Sequence, residues 1–459
     1  MHKSLTQFIV ALAIFMEALD STIINTAIPK MAQSLNVFPI DLKLALISYL
    51  VTLAIFIPIS GWMADKFGIK KVFICAIIIF TLSSFWCGFT NNLIQLVIAR
   101  CIQGIGGSFT VPLGRLIMLR TFGRRELVNK MGVVIMVASV GMMLGPLLGG
   151  MITEHFSWRW IFWVNIPVGI FNSILAYFIL SKSQPKSVPR LDKKGFVYFG
   201  GGLAAMTIGM TMLSESEIKN TFAFGMIAFS VFLIACYFIH SRHQPHPIVR
   251  IGLFRARTFQ VSMIGNIVSR VGFGGVPFLL PLLLQIILGF SPQVSGFLLA
   301  PTAVGVFLMK PFSVYFLRLM GYKKLLVFNT FLVACMLWGF SSVNHDTAKY
   351  VIALMTFVYG FLTAMQFSGM NSLAYAKIVP DDLSAATSIV STIQQLAQSF
   401  GVAIAALFLR FFIPYFSTSH DLGLQAFHLT FIAMSFMTFL SLLIFLRLQP
   451  HDGRELIYD

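Results

Sequence analysis

The residues of this 459-residue chain best placed to do chemistry are the few ionisable ones set inside long apolar stretches. Glu17 and Asp20 interrupt the first stretch, three residues apart and so on neighbouring parts of one helix face. Arg100 interrupts the fourth, Arg270 the ninth and Lys310 the tenth. An ionisable side chain at mid-span costs roughly 2.5–3.5 kcal/mol on insertion scales, so each needs a partner, a water-filled cavity or a function. At about 1.5 Å of rise per residue, Asp20 and Arg100 share a depth in the outward half of their helices. A carboxylate beside an arginine can take up and release a proton as its surroundings change, or can be a static ion pair joining two helices. Both readings stand at this point. For Glu17, attraction of cations into a cavity and a structural hydrogen bond are equally open.

The elements that must position these groups are membrane helices. With 57% hydrophobic and 11% charged residues and a mean hydropathy of +0.85, most of the chain has lipid as its solvent. Crossing roughly 30 Å of hydrocarbon takes about 20 apolar residues, and fourteen such stretches follow one another, from residues 7–29 to residues 425–446. The first carries Lys3 ahead of it like a secretory signal, but Glu17 and Asp20 and the want of a cleavage site make it an uncleaved span. The expected fold is an all-α membrane protein: a six-helix bundle over residues 1–181, linkers with two additional helices over 182–257, a second six-helix bundle over 258–447 and a cytoplasmic tail over 448–459.

A formal charge of +17 would ordinarily point to nucleic acid or an acidic surface. The cations instead fall on alternate connections. Lys66, Lys70 and Lys71, then Arg120, Arg124, Arg125 and Lys130, then Lys182, Lys186 and Arg190 lie on one side, a pattern that continues to Arg447 and Arg454. The opposite side holds little beyond Lys30, Lys43, Arg159, Lys219 and Lys349, mixed with Glu154, Glu215, Glu217 and Asp346. Positive connections stay in the cytoplasm, so both termini are expected there, and topology accounts for the charge without a nucleic-acid partner. The five cysteines are scattered singly and read as small buried hydrophobes. His240, His243 and His246 recur every third residue, but Pro245 and Pro247 break a helix there, which favours an interfacial loop over a metal site.

Three patterns shape the helices around the charges. Gly61, Asp65, Gly68, Lys70 and Lys71 share one short connection, suited to a latch or simply to a topogenic turn. Its Gly68-Ile69-Lys70-Lys71 run returns as Gly321-Tyr322-Lys323-Lys324, the mark of two weakly similar halves. Gly141, Gly145 and Gly149 stand four apart with Pro146 between them and Gly150 beside them, giving close helix packing, a bend, or both.

Together these segments resemble the major facilitator superfamily and its fourteen-span drug:proton antiporter subfamily. The loop over residues 61–71 is similar to the family's loop motif, residues 19–29 to the first-span motif, residues 100–107 to the fourth-span motif, residues 141–150 to the antiporter motif and residues 158–169 to the sixth-span pattern. Arg270 with Pro277, and the pair Met309-Lys310, resemble one multidrug-resistance branch of that subfamily. The resemblance implies a multi-pass protein of the inner (plasma) membrane, an antiporter and not an enzyme, that exports amphipathic or cationic small molecules. It implies no cofactor, inward proton flow as the driving force, Asp20 and Arg100 (with Glu17) in proton coupling, Asp65 in the cytoplasmic gate and Pro146 in the bending helix. Whether a periplasmic adaptor joins it is left open. The second half departs from the pattern, with Arg318 in the place of Asp65, Leu354 in that of Arg100 and Val402 in that of Pro146. Candidate substrate contacts are Asn25, Gln103, Asn266, Arg270, Gln285, Gln366 and Gln394. Rival readings are an exporter of one metabolite and a transport-inactive membrane receptor.

Overall fold

A computed structural model describes residues 2–122, 124–181, 188–213, 220–379, 382–416 and 423–453. Lys182, Lys186, Glu215, Glu217, Lys219 and Arg454 from the charge pattern lie outside them. All regular structure among the described residues is helical, and fourteen helices are long and apolar enough to cross a membrane. In chain order they are α1 (Lys3–Leu35), α2 (Pro39–Phe67), α3 (Ile69–Phe89), α4 (Leu93–Thr121), α5 (Lys130–His155), α6 (Trp160–Ile179) and α7 (Lys193–Leu213). They continue as α8 (Asn220–His243), α9 (Arg257–Ile287), α10 (Pro292–Ser313), α11 (Tyr315–Phe340), α12 (Lys349–Tyr375), α13 (Ala385–Ile413) and α14 (Leu424–Phe445). An all-helical build follows from the solvent, since a helix satisfies its own backbone polar groups where no water is at hand.

The chain divides into two compact units, residues 1–192 with Ser291–Phe297, and residues 193–290 with 298–459. α7 and α8 therefore fall within the second unit. There the Tyr237 hydroxyl both donates to the Val249 carbonyl (3.0 Å) and accepts from the Val249 N–H (2.8 Å), which ties α8 to the connection leading into α9.

In the first unit, α5 lies along α1 through the glycine stripe. A Cβ on Gly141 would stand 2.8 Å from the Phe15 carbonyl, and on Gly145 and Gly149 it would fall inside Thr22 and inside Thr26 with the Ile23 carbonyl. Only hydrogen fits at these crossings, so the stripe is a packing seam against the helix that carries Glu17 and Asp20. Gly150 abuts the Pro292 carbonyl of the segment Ser291–Phe297, which packs with this unit, and Pro146 lies inside an otherwise continuous helix, Arg124–His155.

The repeated turn also has a conformational cause. Gly68 sits at φ 90° and Gly321 at φ 70°, the region where a Cβ is disfavoured. Both halves thus turn on a glycine at the same point of their repeat. Residues 448–453 are held rather than loose: Leu448 and Asp452 are buried, and the Asp452 carboxylate accepts from Arg257 at 2.8 and 3.0 Å.

Candidate functional site

Asp20, on α1, is fully buried, and so is Arg100, on α4. Asn92 caps the start of α4 by accepting from the Gln95 N–H at 2.9 Å. Arg100 Nη1 donates to Asp20 Oδ2 at 2.6 Å. Asp20 Oδ1 accepts from Gln103 Nε2 and from Asn165 Nδ2, each at 2.9 Å. All three bonds run into the carboxylate, which accepts each of them. The expected pairing of Asp20 with Arg100 is a direct contact, and Gln103, a candidate substrate contact by sequence, lies wholly buried inside the same network.

Arg100 has further partners. Its Nη1 donates to Gln103 Oε1 at 2.6 Å and its Nε to the Ala45 carbonyl of α2 at 3.3 Å. The guanidinium carbon stands 4.2 Å from the centre of the Tyr49 ring, where a cation meets the negative face of the aromatic system. Gln103 also donates to the Ser84 hydroxyl of α3 at 2.7 Å. Four helices, α1, α3, α4 and α6, therefore supply one hydrogen-bonded cluster, and α2 closes it with a carbonyl and a ring.

Sequence reasoning missed Asn165 and Ser84. Ser84 lies unmarked within its apolar run, and Asn165 stood only inside the quoted sixth-span pattern. It opens the helix Asn165–Ile179, just after the short helix Trp160–Trp163. Its side chain is buried.

Glu17 is partly buried, and its Oε2 has no hydrogen-bond partner among the described residues. The charges acting on it are Asp20 and Arg115 of α4, a second intramembrane cation missed in the sequence because it lies near the helix end. Asn25 lies in a 3-10 turn, Ile24–Ala27, within α1.

In the connection over residues 61–71, Arg120 Nη2 of α4 reaches Asp65 Oδ1 at 3.4 Å with both side chains exposed by more than a third, so the pair is worth at most about 1 kcal/mol. Lys66 sits 4.5 Å over the Trp62 ring, Trp62 Nε1 donates to the Pro189 carbonyl at 2.9 Å, and Lys70 lies 5.4 Å from the Tyr177 ring. Lys71 is exposed, and a Cβ at Gly61 would meet nothing.

The candidate substrate contacts of the second unit separate into three places. Arg270 and Asn266 of α9 and Gln394 of α13 share one chain of bonds: Arg270 Nε donates to Asn266 Oδ1 (2.7 Å), Asn266 Nδ2 to Asn371 Oδ1 (3.4 Å), and Gln394 Nε2 to the same Asn371 oxygen (2.7 Å). Gln366 is buried elsewhere, accepting from Asn329 at 2.8 Å and donating to Thr330 at 2.9 Å. Gln285 lies in a π-helical turn, Leu283–Ile287, that ends α9, a distortion frequent at functional sites. Leu354, in the position corresponding to Arg100, is 60% exposed. The second unit has no counterpart of the Asp20–Arg100 pair at that position.

Fourteen spans, two units with a repeated glycine turn, and a buried intramembrane ion pair held by neighbouring helices define a polytopic transporter. The model of the Major Facilitator Superfamily matches residues 10–402 and 262–457, and the chain belongs to that family. It is 36% identical over 450 residues, 98% of this chain and 95% of the relative, to the "Putative multidrug resistance protein MdtD" of Shigella flexneri serotype 5b and, equally, of Escherichia coli O157:H7. Among solved structures it resembles a D-xylose-proton symporter (TM-score 0.70, 16% identity, 98% of each chain covered) and the human organic anion transporter MFSD10 (TM-score 0.65, 14% identity, 96% and 99% covered). At these identities the structures speak for the fold alone. The protein is a multi-pass transporter of the inner membrane and not an enzyme.

Proposed function

We propose that the protein is a proton-driven antiporter that exports amphipathic small molecules, with Asp20 as the proton carrier. The observation that carries this reading is the convergence of Arg100, Gln103 and Asn165 on one buried carboxylate. Protonation of Asp20 removes the charge that holds Arg100 Nη1. The guanidinium then loses its counter-charge and keeps only the Gln103 and Ala45 oxygens and the Tyr49 ring around it, a costly state that favours rearrangement of the bundle. Three helices, α1, α4 and α6, meet at the carboxylate, and α3 is joined to it through Gln103, so a change in its charge alters their mutual hold, which is how a proton can bias rocking of a bundle. The glycine seam lets α5 stay close to α1 while that hold changes. Movement of one charge through 100 mV supplies about 2.3 kcal/mol, enough for a roughly fiftyfold gradient per proton.

The name of the Escherichia and Shigella relatives supports multidrug export as the working substrate range. The test is transport by the full-length protein in proteoliposomes loaded with a pH-sensitive dye and given a panel of amphipathic dyes and drugs. Substrate-dependent proton release that disappears in Asp20→Asn supports the reading. Substrate movement with no accompanying proton flux contradicts it.

A further inference from the structure

The two units treat their intramembrane arginines differently. Arg100 has the carboxylate of Asp20 at 2.6 Å, whereas Arg270 has no carboxylate within ion-pair distance among the described residues. Arg270 is thirteen residues into α9, about 20 Å along the helix, deep in the hydrocarbon and far from either headgroup layer. A cation at that depth without a counter-ion is costly unless something supplies one.

Its surroundings are shaped for a guest. A guanidinium has five N–H donors; one goes to Asn266 Oδ1 at 2.7 Å and one to Gln398 Oε1 at 3.4 Å. The other three, both on Nη2 among them, have no acceptor among the described residues. Gln398 is itself fixed by donating to the Gly274 carbonyl at 2.7 Å. The Phe367 ring packs against the guanidinium, 3.8 Å from its carbon to the ring centre. Asn371 accepts from Asn266 and Gln394 through its Oδ1, which leaves its Nδ2 as a further donor with no acceptor among the described residues. The side chain is thus held on one edge and one face, with a forked pair of N–H groups left over, the geometry that takes a planar carboxylate.

We infer that Arg270 is the recognition point for a carboxylate on the transported molecule, with Phe367 packing the apolar body next to it and the Asn371 amide donating to the same group. This specifies the substrate class of the transporter proposed above, amphipathic organic anions, and rests on that reading only in taking the guest to be cargo. It departs from the cationic cargo that the family resemblance implies.

The test uses the full-length protein in phosphatidylcholine nanodiscs at pH 7 with no proton gradient, so that failure of proton coupling leaves the readout untouched. The probes are three ligands with one fluorophore: dansylglycine, its neutral methyl ester, and cationic dansylcadaverine. Dansylglycine is expected to bind about tenfold or more tightly than the other two. Arg270→Gln should bring dansylglycine down to the affinity of the ester while leaving the ester unchanged, which also reports that the variant is folded. Arg270→Lys keeps the charge but loses the fork and should fall between. Equal binding of acid and ester by the wild type, preference for the cation, or undiminished dansylglycine binding in Arg270→Gln each overturns the inference. If Arg270→Gln does not fold, the wild-type ratio of acid to ester and the Arg270→Lys affinity decide it.

Discussion

Asn165 Nδ2 donates to Asp20 Oδ1 at 2.9 Å, joining the first residue of a helix in α6 to the buried carboxylate of α1. Asn165 Oδ1 has no partner of its own among the described residues, so the amide is oriented by what its Nδ2 gives to Asp20 and, at 3.5 Å, to the Ser84 hydroxyl. Asn165→Ala should cost about 1.5–3 kcal/mol, the range for a hydrogen bond to a charged group. Gln103 and Arg100 still hold the carboxylate in that variant. Transport should therefore slow with the number of protons per substrate unchanged, which paired measurements of dye flux and internal pH would show; a changed ratio would assign Asn165 a part in the proton step itself.

The ion pair behind it is stabilising only as a pair. Asp20→Asn leaves Arg100 buried and unbalanced, a loss of about 3–5 kcal/mol, whereas removing both charges avoids the stranded cation. The double variant Asp20→Asn/Arg100→Gln is expected to unfold at a higher temperature than either single variant in detergent. An additive loss would mean that the two side chains do not depend on one another.

How much of this was legible in the sequence differs from residue to residue. Asp20 and Arg100 stand out because a charge in an apolar run is expensive wherever it lies, and the turn glycines because Gly68 and Gly321 recur with the same lysines behind them. Gln103 was visible as a polar residue, but not its place. Whether a neutral amide faces a cavity, a lipid or a buried acid depends on helix rotation and on breaks such as the one before Asn165, and hydropathy carries neither. The same limit grouped Gln366 with Arg270, although Gln366 turns to Asn329 and Thr330.

Two glycines of α5 should respond to substitution with opposite signs. A Cβ on Gly145 would fall inside Thr22, but one on Gly132 would meet nothing. Gly132→Ala is expected to be neutral or stabilising by up to about 1 kcal/mol, the helix-propensity gain. Gly145→Val should separate α5 from α1, lowering the unfolding temperature and stopping transport. Thermal unfolding and dye flux of the two variants side by side check this, and equal effects would contradict the packing seam.

The C-terminal segment offers a pH test outside the membrane. Burial would raise the Asp452 carboxyl, but the Gln449 N–H and the bond and charge of Arg257 outweigh it and hold it below the usual carboxylate range. A carboxyl depressed in the folded state stabilises above its unfolded value, about 3.9, and loses that contribution as pH falls through the folded one. Hydrogen-exchange protection of residues 446–453 should therefore be level from pH 8 to about 5 and fall only at stronger acidity. Asp452→Asn should lose protection already at pH 7.

The central claim is that Asp20 carries the coupling proton, and one measurement separates coupling from transport as such. Proteoliposomes containing wild type or Asp20→Asn are assayed for pH-driven uptake and, at equal pH on both sides, for exchange of labelled against unlabelled substrate. The account predicts that Asp20→Asn loses pH-driven uptake and keeps the exchange, because substrate can still cross when no proton has to move. Undiminished pH-driven uptake in Asp20→Asn would contradict it.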